Sequence, residues 1–415
     1  MTSNKAFVRV QNGKFVKADA TYHFIGTNFW AGMNLATEHP KRLIRELDRL
    51  QTLGIDNLRI MGLTEGPDHE PLRIAPAVQP APNEFREAYW KGLDFLLAEM
   101  AKRNMYAVIC LSNFWPWSGG MAQYISWVSP AVPLPYPPPM KGGEWWKYQL
   151  YTAAFYSNKQ AVTWYHQAIQ QLIQRTNTIT QQPYTNDPTI MAWQLANEPR
   201  ASLHRKSYLK WIESSAKLIK TLAPHQLVSL GSEGDTTHPK INGVNVLEDH
   251  QSAYIDYVTI HCWIQNWGWY DPEKPSTYQK AKEKCLGYLE NQLLKVKKLG
   301  KPLVLEEFGI ARDQGSYDFQ ASTEMRDRFF HDVFEHIIQL IQEGHQLSGA
   351  NFWAWGGEGR PSRPKALWQQ GDELTGDPPH EHQGWYSVYD IDATTGAVIK
   401  GFNEKIKALN LPIRS

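Results

Sequence analysis

Residues 193–200 read W-Q-L-A-N-E-P-R and follow directly on Ile190-Met191-Ala192. An apolar run this short, closed by turn chemistry, predicts a strand buried on both faces of a parallel sheet. Pro199 has no N–H to give to a ladder, so the strand is expected to stop at about Glu198. Asn197 and Glu198 then stand at the carboxyl end of a buried strand, where parallel barrels keep their chemistry. One such run reads equally well as a polar cap. Residues 301–309, K-P-L-V-L-E-E-F-G, repeat the form and end in carboxylates again. Two carboxylates on two strand ends of one barrel are the minimum equipment for glycoside hydrolysis.

Outward from these runs, the same reasoning places strands at 22–28, 57–61, 106–111, 190–198, 227–231, 257–261, 303–307 and 349–355. Amphipathic helices are expected between most of them, at 40–53, 84–103, 151–174, 203–222, 278–299 and 323–342, with a tail helix at 400–409. Asn12-Gly13 between 7–10 and 14–16 signals a hairpin over residues 6–17, expected to cover the closed end. Eight strands alternating with helices in 415 residues predict an α/β fold, a single (β/α)8 TIM barrel read as one domain over 1–415. Residues 113–149 are expected to be one long loop, unusually rich in Trp, and loops of that length are commonly functional.

A net charge of +1 gives no reason to expect nucleic acid, acidic lipid or a strongly charged substrate. With 17 Trp, 19 Tyr and 15 Phe, the chain has rings to spare as stacking platforms for a flat uncharged ligand. The three Cys imply no disulfide framework. No apolar stretch reaches membrane-span length, and the first residues form no apolar signal region. These features favour a cytoplasmic monomer with no membrane contact; a secreted protein whose signal was removed is the alternative.

The strand ends present Asn28, Arg59, Asn113, Asn197 with Glu198, His261, Glu307 and Trp353, and Trp30 lies just past the first of them. Arg59 could be a structural ion-pair partner and His261 a satisfied core histidine; their convergence at one end of successive strands favours a site. Successive strand residues face opposite ways, so only one of Glu306 and Glu307 can reach the barrel axis. His380-Glu381-His382 lacks metal-ligand spacing and reads as a solvated loop, so no metal is expected. Gly356-Gly357-Glu358-Gly359 lacks the phosphate-loop pattern, and no cofactor motif is found. The lysines at 280–284 and 295–298 read as solvated helix faces.

L-R-I-M at Arg59, W-Q-L-A-N-E-P, H-C-W-I-Q-N-W-G-W, P-L-V-L-E-E-F-G and N-F-W-A-W occur in that order. Together they resemble the mannan-degrading branch of glycoside hydrolase family 5. The resemblance implies a retaining β-mannoside hydrolase with Glu198 as acid/base and Glu307, the residue before Phe-Gly, as nucleophile. It implies that Asn197 bonds the sugar 2-hydroxyl and that Trp353 lies beneath the cleaved sugar, with Trp355 as fallback. Trp30, Arg59, Asn113, Trp115, His261 and Trp263 complete the expected substrate-binding set. Trp263 stands where the family often has Tyr; if that Tyr holds the nucleophile, another donor must do so here. Glu198 must start protonated, so its pKa is expected to be raised by its ionised partner and apolar surroundings.

G-G-M-A-Q-Y-I-S-W and G-D-P-P resemble the exo-acting members of that branch, and residues 115–146 and 358–384 could wall off the non-reducing side. The expected substrate is therefore a manno-oligosaccharide from whose end mannose is released, with transfer to sugar acceptors as a side reaction. The alternatives are an endo-β-1,4-mannanase and, in another class, a barrel that only binds mannan.

Overall fold

The computed structural model describes residues 5–412. Strands β1 (Val8–Gln11), β2 (Lys14–Lys17) and β3 (Ala20–Thr21) form an antiparallel sheet. Eight parallel strands follow: β4 (Phe24–Asn28), β5 (Asn57–Met61), β6 (Tyr106–Cys110), β7 (Ile190–Gln194), β8 (Leu227–Ser229), β9 (Val258–Cys262), β10 (Leu303–Phe308) and β11 (Leu347–Phe352). They are ordered β8-β7-β6-β5-β4-β11-β10-β9, and the parallel bridge Ser229–Tyr257 brings the two edges together. Every residue of these eight strands is buried. That is why each reads as a continuous apolar run rather than an alternating one.

The hairpin expectation holds. Val8 and Phe15 pack with Tyr22, Phe24, Tyr106, Tyr257 and Val304, residues at the amino-terminal ends of the barrel strands. The sheet therefore plugs that end and leaves the carboxyl end for the site.

Four expectations are corrected. The segment 113–149 is not one loop, because it contains the helix Gly120–Val128 and starts the helix Trp145–Ala153. The helix expected at 151–174 is broken: the Asn158 side chain accepts from Ala161 N and starts a new helix, Lys159–Ile173. The last barrel strand stops at Phe352, and Trp355–Gly357 is a separate strand, β12, paired with β13 (Val388–Tyr389). The tail helix starts earlier than expected and spans Ala393–Lys407. Among the described residues, no helix is long and apolar enough to cross a membrane.

Candidate active site

The ladder of β7 ends at Gln194, but the chain runs on between its neighbours. Asn197 N donates to Ser112 O and Glu198 N to Gly231 O, each at 2.9 Å. Glu198 itself has φ +47°, a conformation that is costly without glycine and persists only where surroundings impose it. Gly231 has φ +82° and lies so near Ala196 that a Cβ would fall 1.8 Å from its carbonyl oxygen. A glycine is required there to let this strand end turn its carboxylate into the barrel mouth.

Arg59, on β5, sits beneath that mouth and is buried. Its guanidinium forms an ion pair with Glu307 and bonds Gln194 Oε1 at 2.7 Å, Asn28 Oδ1 at 3.0 Å and Asn197 Oδ1 at 2.7 Å. The planar fork thus ties four strand ends together. Asn113 accepts from Asn197 Nδ2 at 3.1 Å and supports it from behind. Glu306 points elsewhere than Glu307, receiving both of its bonds from Gln194 Nε2. Glu307 is the carboxylate that faces the cleft.

His261 stands between the two carboxylates: Nδ1 lies 2.6 Å from Glu198 Oε1 and 3.2 Å from Glu307 Oε2. Each of the three residues offers an atom, and these atoms lie within 4.8 Å of one another. An approach this close fits the spacing of a retaining pair, about 5–5.5 Å, better than the about 6.5–9.5 Å of an inverting one. The same atoms are a conceivable cation site. A shared proton accounts for the 2.6 Å approach, which is closer than ligands of one divalent ion bonded at about 2.0–2.2 Å each would stand. Arg59 is the donor on Glu307, and His261 Nδ1 stands 3.2 Å from its other oxygen, which answers the replacement of Tyr by Trp263.

The expectation of a raised Glu198 pKa is corrected. Burial pushes the carboxyl up, but the His261 hydrogen bond and charge, Arg200 and the Trp115 N–H together hold it down at about 2. His261 moves the opposite way: burial disfavours its charge, yet Glu307, Glu198 and Glu306 raise it well above the usual imidazole range. Both directions favour a carboxylate beside an imidazolium.

A cleft of about 430 Å³ lies over Glu198 and Glu307, with Asn197, Trp263 and Trp353 on its lining. Trp115 and Trp117 line one side, backed by Pro138, Pro139 and Trp145. Trp115 Nε1 donates to Glu198 Oε2 at 2.5 Å. Arg200 stacks 4.8 Å over the Trp115 ring and is bonded by Glu233. The opposite side is Pro378, His380, Glu381, His382 and Trp385. Asp377 fixes this wall by accepting from Gly384 N at 2.9 Å, Tyr386 N at 2.6 Å and the Ser387 hydroxyl.

Three sequence expectations fail at the site. Trp355 does not face the cleft: strand alternation cannot carry past Phe352, and its indole donates to Glu46 at 3.0 Å behind the barrel wall. Trp30 lies behind Trp117, its indole N–H bonded to Gly376 O at 2.9 Å. His380-Glu381-His382 is a half-exposed loop, but it forms part of the cleft wall instead of lying free of the site. His380 Nδ1 and Glu381 Oε2 are sealed from solvent without partners. Desolvation, then the charges of Asp377, Glu307 and Glu198, push the Glu381 carboxyl well above the usual carboxylate range, which favours its protonated form. Glu233 and Asn266 were missed as cleft residues. Glu233 follows β8 closely enough that the strand-end rule could have found it.

The chain matches, over residues 5–410, the family model described as GH family 5 beta-mannosidase-like. Its fold is similar to that of a glycoside hydrolase family 5 mannosidase from Rhizomucor miehei (36% identity, TM-score 0.90, 97% of this chain and 98% of that one). A variant of that mannosidase was solved with mannosyl-fructose bound. In sequence the chain is similar to the putative mannan endo-1,4-beta-mannosidase 4 of Arabidopsis thaliana, at 29% identity over 73% of this chain and 71% of that one. An endo-beta-1,4-mannanase from Thermotoga petrophila shares the fold (24% identity, TM-score 0.69, 95% of this chain and 78% of that one).

Proposed function

The chain belongs to glycoside hydrolase family 5, β-mannosidase-like, and we propose that it releases single mannose units from the ends of β-1,4-manno-oligosaccharides with retention. The broader activity, hydrolysis of mannan-type substrates, goes with the family; the end-acting mode is the proposal. The observation that supports it is that two loop segments outside the barrel strands line the cleft beside the carboxylates. The Pro138-Pro139-Trp145 wall and the Pro378–Trp385 wall flank the two carboxylates and leave about 430 Å³, near the small end of ligand sites. A chain end fits such a space better than the middle of a polymer does.

In the first half-reaction Glu307 attacks the anomeric carbon while the glycosidic oxygen takes a proton from Glu198. This leaves a glycosyl ester on Glu307. In the second, Glu198 removes a proton from water, which attacks the ester carbon and frees mannose and Glu307. Asn197, held by Arg59 and Asn113, is oriented to meet the 2-hydroxyl, which is axial in mannose. Trp353 offers its face as the floor of the cleft, with Trp117 and Trp263 packed edge-on against it. Both half-reactions run on carboxyl groups and water, so no cofactor is invoked. A sugar hydroxyl that replaces water gives transfer.

Internal cleavage is the second reading, favoured by Trp145 and Trp146. Trp145, on the cleft wall, is 41% exposed and Trp146, next to it and off the cleft lining, is 58% exposed, so the pair could carry further sugar units. A barrel that only binds mannan is separated from both by Glu307→Ala. Wild type must hydrolyse an aryl β-mannoside, and the variant must lose that activity by on the order of 10⁴- to 10⁶-fold.

A further inference from the structure

Three carboxyl groups, those of Glu198, Glu306 and Glu307, crowd one imidazole. Arg59 compensates Glu307 by direct pairing and Glu306 at 3.3 Å, while Arg200 is committed to Glu233 through two bonds. Buried like charges at this spacing do not all ionise unaided, so the cluster must hold a proton of its own. The contacts locate it. His261 Nδ1 is the atom that reaches both catalytic carboxylates, at 2.6 and 3.2 Å. Nε2, without a hydrogen-bond partner, faces Glu306 Oε2 at 3.8 Å. A neutral ring protonated on Nδ1 would aim a lone pair at Glu306, and one protonated on Nε2 would aim a lone pair at Glu307 Oε2, 3.2 Å away; an imidazolium aims an N–H at each.

We propose that His261 stores the proton the reaction consumes, passing it to Glu198 as Glu307 attacks and recovering it as Glu307 is released. The proposal rests on the roles given above to Glu198 and Glu307. In glycosylation the Nδ1–H bond breaks and a Glu198 O–H forms; that O–H then breaks as the leaving oxygen takes the proton. Glu307 loses its negative charge to the new ester at the same time, so the imidazolium loses a counter-charge and releases its proton when it is needed. In deglycosylation Glu198 takes a proton from water and returns it to Nδ1, and the departing sugar restores the Glu307 carboxylate. The pair holds one proton throughout the resting state.

The charged groups around the ring are few. Glu198 and Arg200 come from the segment after β7, Glu306 and Glu307 from β10, and Arg59 from β5. The main-chain carbonyl of Glu233, after β8, accepts the His261 backbone N–H at 3.2 Å, while the Glu233 carboxylate is bound to Arg200. Glu381 lies on the cleft wall near the two catalytic carboxylates. His261 acts through Glu198 and is a positioning residue, not one that touches the sugar.

The test is kcat/KM, which reports glycosylation, for His261→Gln on two substrates. Mannobiose needs its leaving hydroxyl protonated; 2,4-dinitrophenyl β-mannoside does not. The expected loss is about 10²- to 10³-fold on mannobiose and below about tenfold on the dinitrophenyl substrate. Equal losses on both would overturn the proposal. Should the variant not fold, ¹⁵N-histidine spectra of the wild type decide: a doubly protonated His261 at pH 7 is expected, and a neutral ring would overturn it. Wild type inactive on both substrates would instead overturn the mechanism beneath the proposal.

Discussion

Trp115 donates its indole N–H to Glu198 Oε2 at 2.5 Å, and so one residue both walls the cleft and aims the acid/base. Arg200 over the same ring adds a cation that Glu198 feels as charge. A hydrogen bond to a charged group contributes about 1.5–3 kcal/mol. Trp115→Phe keeps a ring but removes the donor, and is expected to lower kcat/KM about 10- to 100-fold. Steady-state kinetics on mannobiose check this; unchanged turnover would show that the bond does not orient the acid.

Arg59 joins four strand ends, and its removal strands a buried Glu307 carboxylate. Breaking a buried pair of this kind costs about 3–5 kcal/mol. Arg59→Met should lower the urea midpoint accordingly and abolish turnover. Arg59→Lys should recover part of the stability and little activity, because an ammonium cannot reach Gln194, Asn28, Asn197 and Glu307 in one plane.

Glu381 is half-buried in the cleft wall, and desolvation with the charges of Asp377, Glu307 and Glu198 raises its carboxyl well above the usual range, favouring the protonated form. An amide has the same shape as that neutral carboxyl. Glu381→Gln should therefore keep KM within about threefold of wild type, whereas Glu381→Ala, losing a polar contact of about 1–3 kcal/mol, should raise it at least tenfold. Equal effects of the two variants would show that the carboxyl is ionised in the working enzyme.

Glu65 lies under the segment that carries Trp115 and Trp117. It accepts from Gly120 N at 2.8 Å, and burial, only partly countered by that bond and by Arg73, pushes its pKa from 4.5 to about 8. A carboxyl raised on folding favours the folded state fully below its unfolded pKa, and that contribution is lost as pH climbs through the folded value. Glu65→Gln should therefore gain in melting temperature relative to wild type between pH 5 and pH 8. A difference in Tm that does not grow with pH over that range would contradict the assignment.

The barrel was legible because each strand is buried on both faces and so announces itself as a short apolar run with polar residues at its end. Glu198, Glu307, Arg59, Asn197 and His261 were found by that rule together with the family motifs. What escaped depends on tertiary packing. Trp355 had the right spacing from Trp353, but β11 ends at Phe352 and the period-two argument ends with it. His380-Glu381-His382 has loop composition, and nothing local says that Asp377 and Gln383 pin it over the cleft. The direction of the Glu198 shift differs from the expectation because a neighbouring imidazole outweighs the apolar wall.

The end-acting reading is tested most directly by the early products from mannohexaose. The account predicts mannose and mannopentaose appearing together, before any fragment of intermediate length. Mannobiose, mannotriose and mannotetraose appearing first would contradict it and mark an open cleft that cuts within the chain.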